Sequence, residues 1–126
     1  MTERFVIGTR GSDLALWQAN HVKSTLEGLF PESVFEIKII HTTGDQVLDV
    51  ALSKIGDKGL FTRQIENELL NGEIDFAVHS LKDLQTAQPE GLRIGAVCKR
   101  EVPNDVFISK TGGTIDDLPH GAKVAT

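Results

Sequence analysis

One helix with a single apolar stripe, set between two short β-compatible runs, constrains the fold of this chain more than any other feature. Apolar residues recur along it at spacings of four, three, four and three, so they share one face of a helix of roughly four turns. Runs typical of buried strands flank it, from Phe5 to Ile7 and from Val34 to Ile40. A strand, a helix and a strand in this order predict a right-handed parallel crossover and an α/β fold. The stripe consists of Ala15, Ala19, Val22, Leu26 and Leu29.

The turn between the first strand and the helix carries polar residues suited to anion binding. Ser12 is placed to act as the N-cap, and Asp13 interacts favourably with the positive end of the helix dipole. Arg10 and Ser12 therefore lie at a helix N-terminus, where free N–H groups and the dipole attract anions. Gln18 lies off the apolar stripe, so it either faces water or points with Arg10 toward the strand ends.

A second concentration of polar residues follows an apolar run. Residues 74–78 predict a short buried strand whose even-numbered positions share one side, and Ser80, Lys82 and Asp83 come directly after it. In open α/β sheets, ligands bind beyond the carboxyl ends of the strands, so these residues predict a binding or catalytic site. The alternative is a solvated turn with an incidental ion pair.

The connection from residue 42 to residue 59 is longer than a compact domain normally needs. Connections beyond roughly 12 to 15 residues are usually functional or mobile. This one carries Lys54 and Lys58 beside glycines, which indicates either two solvated lysines or a mobile functional loop. A helix is expected over 61–71. Further strands are expected over 92–97, 106–108 and 122–126, with a capped helical turn over 114–117.

Composition narrows the possible partners. The chain has 126 residues, a formal net charge of −5, 40% hydrophobic residues and 25% charged residues. This acidic balance argues against nucleic acid and anionic membranes as partners. No apolar run approaches a membrane helix in length and the N-terminus lacks a signal-peptide pattern, so we expect a cytoplasmic protein. Cys98 is the single cysteine, which excludes an internal disulfide, and the four histidines form no metal set.

The candidate site residues comprise four cationic side chains and one acidic side chain. The glycine-rich loops of nucleotide-binding sites and the nucleophile elbow of serine hydrolases do not occur in the sequence. Arginine binds carboxylates through paired hydrogen bonds and lysine supplies point charge, so the set suits a ligand with several carboxylates. A non-catalytic solute-binding module for a small polycarboxylate remains open at this point, as does an enzyme with Lys82 as a Schiff-base nucleophile. The set consists of Arg10, Lys54, Lys58, Lys82 and the acid Asp83.

Six segments of the sequence form an ordered set of signatures. They are Thr9-Arg10-Gly11-Ser12-Asp13-Leu14-Ala15 with Gln18, Thr43-Gly44-Asp45, Lys54-Ile55-Gly56-Asp57-Lys58-Gly59-Leu60-Phe61, His79-Ser80-Leu81-Lys82-Asp83-Leu84, Pro89-Glu90-Gly91-Leu92, and Cys98-Lys99-Arg100-Glu101 with Pro103 and Asp105. In order and spacing they resemble the signature segments of the porphobilinogen deaminase family, also called hydroxymethylbilane synthase. The resemblance extends over essentially the whole chain.

This resemblance implies a transferase of tetrapyrrole and haem biosynthesis that joins four porphobilinogen molecules head to tail on a covalently held dipyrromethane cofactor, releasing ammonia each time. It implies three domains, the first two folded like type II periplasmic binding proteins around an active-site cleft, and we expect a monomer at full length. We predict that residues 1–100 form most of domain 1, an α/β sheet with helices on both faces. Residues 101–126 are then the crossover and the beginning of domain 2, with domain 3 absent.

The resemblance also implies roles for individual residues. Asp83 would be the catalytic acid, which hydrogen-bonds pyrrole N–H groups and stabilises the cationic azafulvene-like species formed as the amine leaves. The other implied roles are cofactor binding for Ser80, Lys82, Asp83 and Lys58, substrate binding for Arg10, Ser12 and Gln18, and a mobile loop over the cleft for Lys54 and Lys58.

The sequence departs from the family pattern at a few positions. Gln85 stands where proline is usual, and Val102 and Asn104 replace commoner polar or charged residues. The arginine pair and the cysteine that hold the cofactor in the family are not in this sequence, and Cys98 is not that cysteine. We therefore expect the chain to be part of a longer protein and to be inactive alone.

Overall fold

The computed structural model describes residues 2–47 and 59–125, which fall into two compact units, Met1–Ile94 and Gly95–Thr126. Each unit is treated by itself below. No helix in the described part of the chain has both the length and the hydrophobicity that crossing a bilayer requires.

The first unit opens with the expected crossover. Strand β1 (Arg4–Thr9) lies parallel to strand β2 (Val34–Ile39), with Phe5 opposite Phe35 and Ile7 opposite Ile37. The rings of Phe5 and Phe35 stack at 5.4 Å between centroids. Apolar residues that point to the same side of the sheet are thus neighbours on the two strands. Together they form one continuous apolar surface on which the connecting helix can pack.

Helix α1 (Asp13–Leu29) connects these strands and packs on that surface. Ser12 is its N-cap, and the Ser12 Oγ accepts a 3.3 Å hydrogen bond from the amide of Ala15. Ala15 and Ala19 are buried, whereas Trp17 on the opposite side is exposed. The small buried residues let the helix approach the strands closely, and the cap and the boundaries of the helix confirm the sequence prediction.

Strand β3 (Phe76–Ala77) completes the sheet that the described residues form, which has the order β2-β1-β3 with parallel pairing throughout. The prediction that residues 74, 76 and 78 share one side is wrong. Ile74 packs with Ile40 and Ile65 away from α1, while Phe76 and Val78 lie on the α1 side. The chain bends at Asp75, whose carboxylate accepts a 2.7 Å hydrogen bond from the amide of Val6, so the alternation begins only after the bend.

A second helix covers the other side of the sheet. This helix, α3 (Arg63–Leu70), follows the short helical turn α2 (Thr43–Gln46) in the described chain. It buries Ile65 against Ile40 and Ile74, and Val6 of β1 contacts the same cluster. Two hydrogen bonds close its C-terminus, from the amide of residue 72 to the carbonyl of residue 69 and from residue 73 to residue 68. This arrangement needs a residue with left-handed backbone conformation after the helix, and Gly72 adopts it with φ +73°. Helices therefore lie on both faces of the sheet, as predicted.

Three predicted strands do not form, one that begins in the first unit and two that lie within the second. None of the described residues in 92–97, 106–108 and 122–125 forms a strand, although their side chains are β-compatible. A strand requires a paired backbone, and no described segment pairs with these runs. Ile108 is accordingly 88% exposed, and Cys98 is exposed as well. The capped turn is confirmed as a 3₁₀ turn over Ile115–Asp117, with a hydrogen-bonded capping box between Thr114 and Asp117.

Candidate functional site

A pocket of about 150 Å³ lies where β1 and β3 end. The segment after β1 contributes Arg10, and the segment after β3 contributes Ser80, Lys82 and Asp83. The strands are parallel, so their carboxyl ends meet at one edge of the sheet, where the sequence predicted a site. Ser12 and Gln18 of the α1 region line the same pocket.

Arg10 is the most extensively bonded side chain of the pocket. Its Nε donates to both carboxylate oxygens of Asp45, at 3.2 and 3.1 Å, and its Nη2 donates to the Oδ1 of Asp45. Its Nη1 donates to the Oδ2 of Asp83 at 3.2 Å. The Arg10 side chain is only 18% exposed. One guanidinium thus joins two carboxylates that are far apart in sequence.

Asp83 is presented by a tight turn. The 3₁₀ turn Leu81–Asp83 follows Ser80, and the amide of Asp83 donates to the carbonyl of Ser80 at 3.0 Å. The Asp83 side chain is 16% exposed. Its Oδ2 accepts from Arg10, and among the described residues no hydrogen bond reaches its Oδ1. One oxygen of the carboxylate is therefore fixed and the other is available to a ligand that donates hydrogen bonds.

Asp45 belongs to a structured start of the connection that the sequence predicted to be a loop from residue 42. A helical turn, α2 (Thr43–Gln46), forms there because Thr42 caps it and accepts from the amide of Asp45 at 3.3 Å. The Thr42 hydroxyl also donates to the Oδ2 of Asp45 at 2.6 Å. Arg10 above all, and Thr42 in addition, lower the pKa of Asp45, and the hydrogen bond from Arg10 to Asp45 raises the pKa of the guanidinium.

The Phe61 ring lies beside the Arg10 guanidinium. The guanidinium carbon lies 4.1 Å from the centre of the Phe61 ring, within cation–π distance. Gly44 allows this placement, because a Cβ at residue 44 would lie 2.4 Å from the Phe61 ring. The amide of Gly44 donates to the carbonyl of Leu60 at 2.8 Å, so the two ends of the 42–59 connection meet beside Arg10.

The remaining sequence-predicted site residues are placed as follows. The Ser80 hydroxyl donates to the Gln18 Oε1 at 3.0 Å, so Gln18 points toward the strand ends rather than only into water. Ser12 combines its capping role with a place in the pocket wall, and Lys82 is exposed at the pocket. Lys54 and Lys58 lie outside the described residues.

His79 also lines the pocket, although the sequence pattern assigned it no role. Burial lowers the pKa of its imidazole; the negative charges of Asp83 and Glu66 oppose that effect, and the positive charge of Arg10 adds to it. Its position after the predicted strand 74–78 and its place in a signature segment were the sequence signals for it. Asp45 and Phe61 were visible only as members of signature segments, since nothing in their spacing indicates contact with Arg10.

The charges of the pocket are more balanced than the sequence indicated. Arg10 and Lys82 are cations, but Asp83 lies beside them and Asp45 contacts Arg10 from behind, so the four formal charges cancel. Described residues alone thus supply less attraction for a polycarboxylate than the sequence predicted. In the part of the chain that the structure covers, no three His, Cys, Asp or Glu side chains converge as a metal site requires.

Comparisons of the sequence with family models and with curated proteins lead to the same family. The family model described as "Porphobilinogen deaminase, dipyromethane cofactor binding domain" matches residues 5–126. The chain belongs to the porphobilinogen deaminase family. Among curated proteins of that name, it is 61% identical over 120 residues to one from Syntrophomonas wolfei (95% of this chain, 39% of the relative). It is 56% identical over 126 residues to one from Desulforamulus reducens (100% of this chain, 41% of the relative). The chain thus spans about two-fifths of these relatives.

The matched domain is the one that binds the dipyrromethane cofactor in the porphobilinogen deaminase family. The residues present fit such a group. A dipyrromethane offers pyrrole N–H donors, which match the Oδ1 of Asp83, and carboxylate substituents, which match the Lys82 ammonium. The comparisons give no support to the alternative of a non-catalytic solute-binding module.

Proposed function

We propose that this chain supplies the catalytic acid and part of the cofactor site of a hydroxymethylbilane synthase. The reaction joins four porphobilinogen molecules head to tail and releases one ammonia for each. The observation that carries the proposal is Asp83, a carboxylate at the carboxyl end of a parallel sheet with one oxygen fixed by Arg10 and the other available. Membership of the porphobilinogen deaminase family supports the same reaction.

Asp83 would act on the pyrrole ring from which the amine departs. Its Oδ1 would accept a pyrrole N–H, and its charge would stabilise the cation that develops as the carbon–nitrogen bond breaks. The same carboxylate offers a route for the proton that the leaving amine requires. The fixed position of the carboxylate matters because a group already oriented at the reacting atoms does not have to be ordered during the reaction.

The other residues would hold carboxylate side chains. Ser80 and Lys82 are proposed to bind those of the cofactor, since both line the pocket with Asp83; the Ser80 hydroxyl would then donate to the cofactor instead of to the Gln18 Oε1. Arg10 uses three of its five N–H groups on Asp45 and Asp83, so two remain for a substrate carboxylate. The proposed assignment of Ser12 and Gln18 to the substrate, of Lys58 to the cofactor and of Lys54 and Lys58 to a closing loop rests on the family resemblance.

The finer architecture is also a proposal. A parallel sheet with the central strand first in sequence and helices on both faces is consistent with a fold like that of type II periplasmic binding proteins. We propose that residues 1–100 form most of the first domain and that residues 101–126 lead into a second. Inactivity of the 126-residue chain alone, a monomeric full-length enzyme and a cytoplasmic location remain predictions from the sequence.

A chimeric enzyme tests the role of Asp83. In it, residues 1–126 of this chain replace the matched 126 residues of the Desulforamulus reducens relative, which are 56% identical. Once the chimeric enzyme turns over porphobilinogen, Asp83→Asn should lower kcat by at least about 100-fold, because an amide neither carries the charge nor transfers the proton. Near-normal turnover by Asp83→Asn would refute the assigned role.

Glu36→Gln is the matched control, since Glu36 pairs with Arg4 at an exposed site on β1 and β2, away from the pocket. Its turnover should stay within about twofold of the parent chimera, because surface polar contacts of this kind contribute little. Lys82→Ala tests the cofactor site separately. It should reduce the fraction of holoenzyme measured by absorbance of the bound cofactor, and an unchanged fraction would remove Lys82 from that site.

A further inference from the structure

Asp45 has a place in the site for which the sequence pattern gave no role. Its Oδ1 accepts from Nε and Nη2 of Arg10, and its Oδ2 accepts from Nε of Arg10 and from the Thr42 hydroxyl. The carboxylate is 26% exposed, and all of these partners are protein groups. Asp45 is therefore held firmly and uses its charge on Arg10.

The geometry of a guanidinium makes this contact directional. The group is planar and rigid, so binding the Nε–Nη2 edge to one carboxylate fixes where the Nη1 edge points. In this structure that edge reaches the Oδ2 of Asp83 at 3.2 Å. The guanidinium carbon also lies over the Phe61 ring, 4.1 Å from its centre, so the ring blocks movement of the guanidinium to that side. Rotation of the guanidinium within its plane and its tilting toward the Phe61 ring are thereby restricted, and either movement would take Nη1 away from Asp83.

We propose that Asp45 is a positioning residue for Asp83 and that it acts through Arg10. With its Nε–Nη2 edge occupied by Asp45, Arg10 offers Asp83 a single hydrogen bond, which orients the carboxylate and leaves the Oδ1 of Asp83 for a pyrrole N–H. The inference rests on the proposed catalytic role of Asp83 and extends it to a residue that does not line the pocket.

Loss of the Asp45 charge would change the competition between the two carboxylates. Arg10 forms paired hydrogen bonds with carboxylates by preference, and an asparagine at position 45 offers only one acceptor oxygen and no charge. The guanidinium would then turn toward Asp83 and occupy both of its oxygens. The substrate would still bind, but the Oδ1 of Asp83 would no longer be available to the reacting ring.

Steady-state kinetics of the chimeric enzyme test this inference. Asp45→Asn should lower kcat on the order of 100-fold, as expected for a misplaced catalytic group, while KM changes by less than about threefold. Thr42→Val, which removes the hydroxyl that holds Asp45, should lower kcat on the order of tenfold, and Thr42→Ser should restore it. A structural role alone would lower the yield of folded enzyme without this separation of kcat from KM.

Glu36→Gln is the matched control. It removes another carboxylate that pairs with a guanidinium, that of Arg4, at an exposed site on β1 and β2. Its kcat should equal that of the parent chimera. A kcat for Asp45→Asn within about threefold of the parent, or an equal loss in Glu36→Gln, would overturn the proposal.

NMR of the 126-residue chain supplies a second readout that is independent of activity. The Nε–H signal of Arg10 should exchange with solvent at least about tenfold more slowly than that of exposed Arg93, because it is hydrogen-bonded. In Asp45→Asn that protection should disappear and the carboxyl carbon signal of Asp83 should shift, whereas both should persist in Glu36→Gln. Retained protection and an unshifted Asp83 signal would overturn the proposal.

The two proposals can fail separately. If Asp83→Asn turns over normally, the catalytic role of Asp83 fails whatever Asp45 does. If Asp83→Asn is inactive and Asp45→Asn is normal, only the positioning role fails.

Discussion

Arg10 and Lys38 each pair with two carboxylates, yet the two clusters differ in geometry and in burial. Arg10 lies at the carboxyl end of β1, 18% exposed, with Asp45 and Asp83 in directed hydrogen bonds. Lys38 lies on β2, 40% exposed, with Glu68 at 2.7 Å and Glu73 at 3.2 Å. A count of ion pairs would treat these clusters as equal.

The difference shows what makes an ion-pair cluster suitable for a site. The Arg10 guanidinium is planar, stacked on Phe61 and withdrawn from water, so its partners are held in fixed directions. The Lys38 ammonium is a point charge on a flexible stem that water also solvates, so its partners are attracted but not oriented. The Arg10 cluster in the pocket therefore differs from the Lys38 cluster on the surface in how its carboxylate partners are oriented, and not in its charge.

The largest difference between the clusters should appear in coupling energies. A double-mutant cycle of Arg10→Met and Asp45→Asn should give a coupling of about 2 kcal/mol, because Arg10→Met takes the arginine from the mostly buried Asp45 carboxylate and Asp45→Asn takes from Arg10 its more extensively bonded carboxylate, leaving Asp83. The matched cycle of Lys38→Met and Glu73→Gln should give a coupling indistinguishable from zero. Urea unfolding followed by the fluorescence of Trp17 measures both. Equal couplings would abolish the distinction.

A change in the support beneath Arg10 should have the next largest effect. Gly44→Ala would place a Cβ 2.4 Å from the Phe61 ring, so Phe61 must move from under the guanidinium, at a cost of about 1–3 kcal/mol. Gly28→Ala is the control, because nothing lies within 4 Å of its Cβ position. It should stabilise α1 by about 0.5 kcal/mol, since glycine is unfavourable within a helix. If both variants had the same stability, packing beneath Arg10 would not matter.

The clusters should respond to opposite ends of the pH scale. Arg10 lowers the pKa of Asp45 in the folded chain, so its contribution is complete above the unfolded value of about 3.9 and is lost as pH falls through the folded pKa. Glu68 and Glu73 raise the pKa of Lys38, so its contribution is complete below about 10.4 and is lost as pH rises through the folded pKa.

Unfolding free energies measured across the pH range check this expectation. The difference between the unaltered chain and Asp45→Asn should shrink only in acid, and the difference from Lys38→Met, if measurable at all, only in alkali. A difference for Asp45→Asn that persists unchanged at about pH 2 would mean that the charge on Asp45 is not its source.

Salt should have the smallest effect. Raising the ionic strength from about 0.1 M to about 1 M shortens the screening length from about 10 Å to about 3 Å. Any stabilisation from the exposed Lys38 cluster should vanish, whereas the Arg10–Asp45 coupling should keep most of its value because the pair is partly shielded from solvent. Repeating the two cycles at high salt tests this, and equal salt sensitivity would contradict it.

The parts of the fold that the sequence predicted are those governed by local chemistry. The Ser12 cap and the apolar stripe of α1 specify a helix through residues that are close together in the sequence. The apolar runs of β1 and β2, which this helix connects, pair directly with each other. The polar residues after β3 were also visible, because their place at the end of a strand follows from the order of the elements.

The failures of sequence prediction concern partners that are distant along the chain. The runs 92–97 and 106–108 have the composition of strands, but pairing is a property of two segments, and none of the described residues supplies the second. The side to which Ile74 points depended on the bend at Asp75, which is fixed by a hydrogen bond to Val6 from a strand 69 residues away. The residue composition of a segment indicates neither the segment with which it pairs nor the position of such a bend.

The sequence by itself determined strands β1 to β3, helices α1 and α3, the family and the end of the sheet at which Arg10, Ser80, Lys82 and Asp83 gather. Those features depend on propensity, periodicity and the order of strands. Only the tertiary structure decided that Asp45 and Phe61 hold Arg10, that Arg10 holds one oxygen of Asp83, and that the charges of the pocket nearly balance. Contacts of this kind depend on direction and distance between segments that folding brings together, and a linear pattern of residue types contains neither.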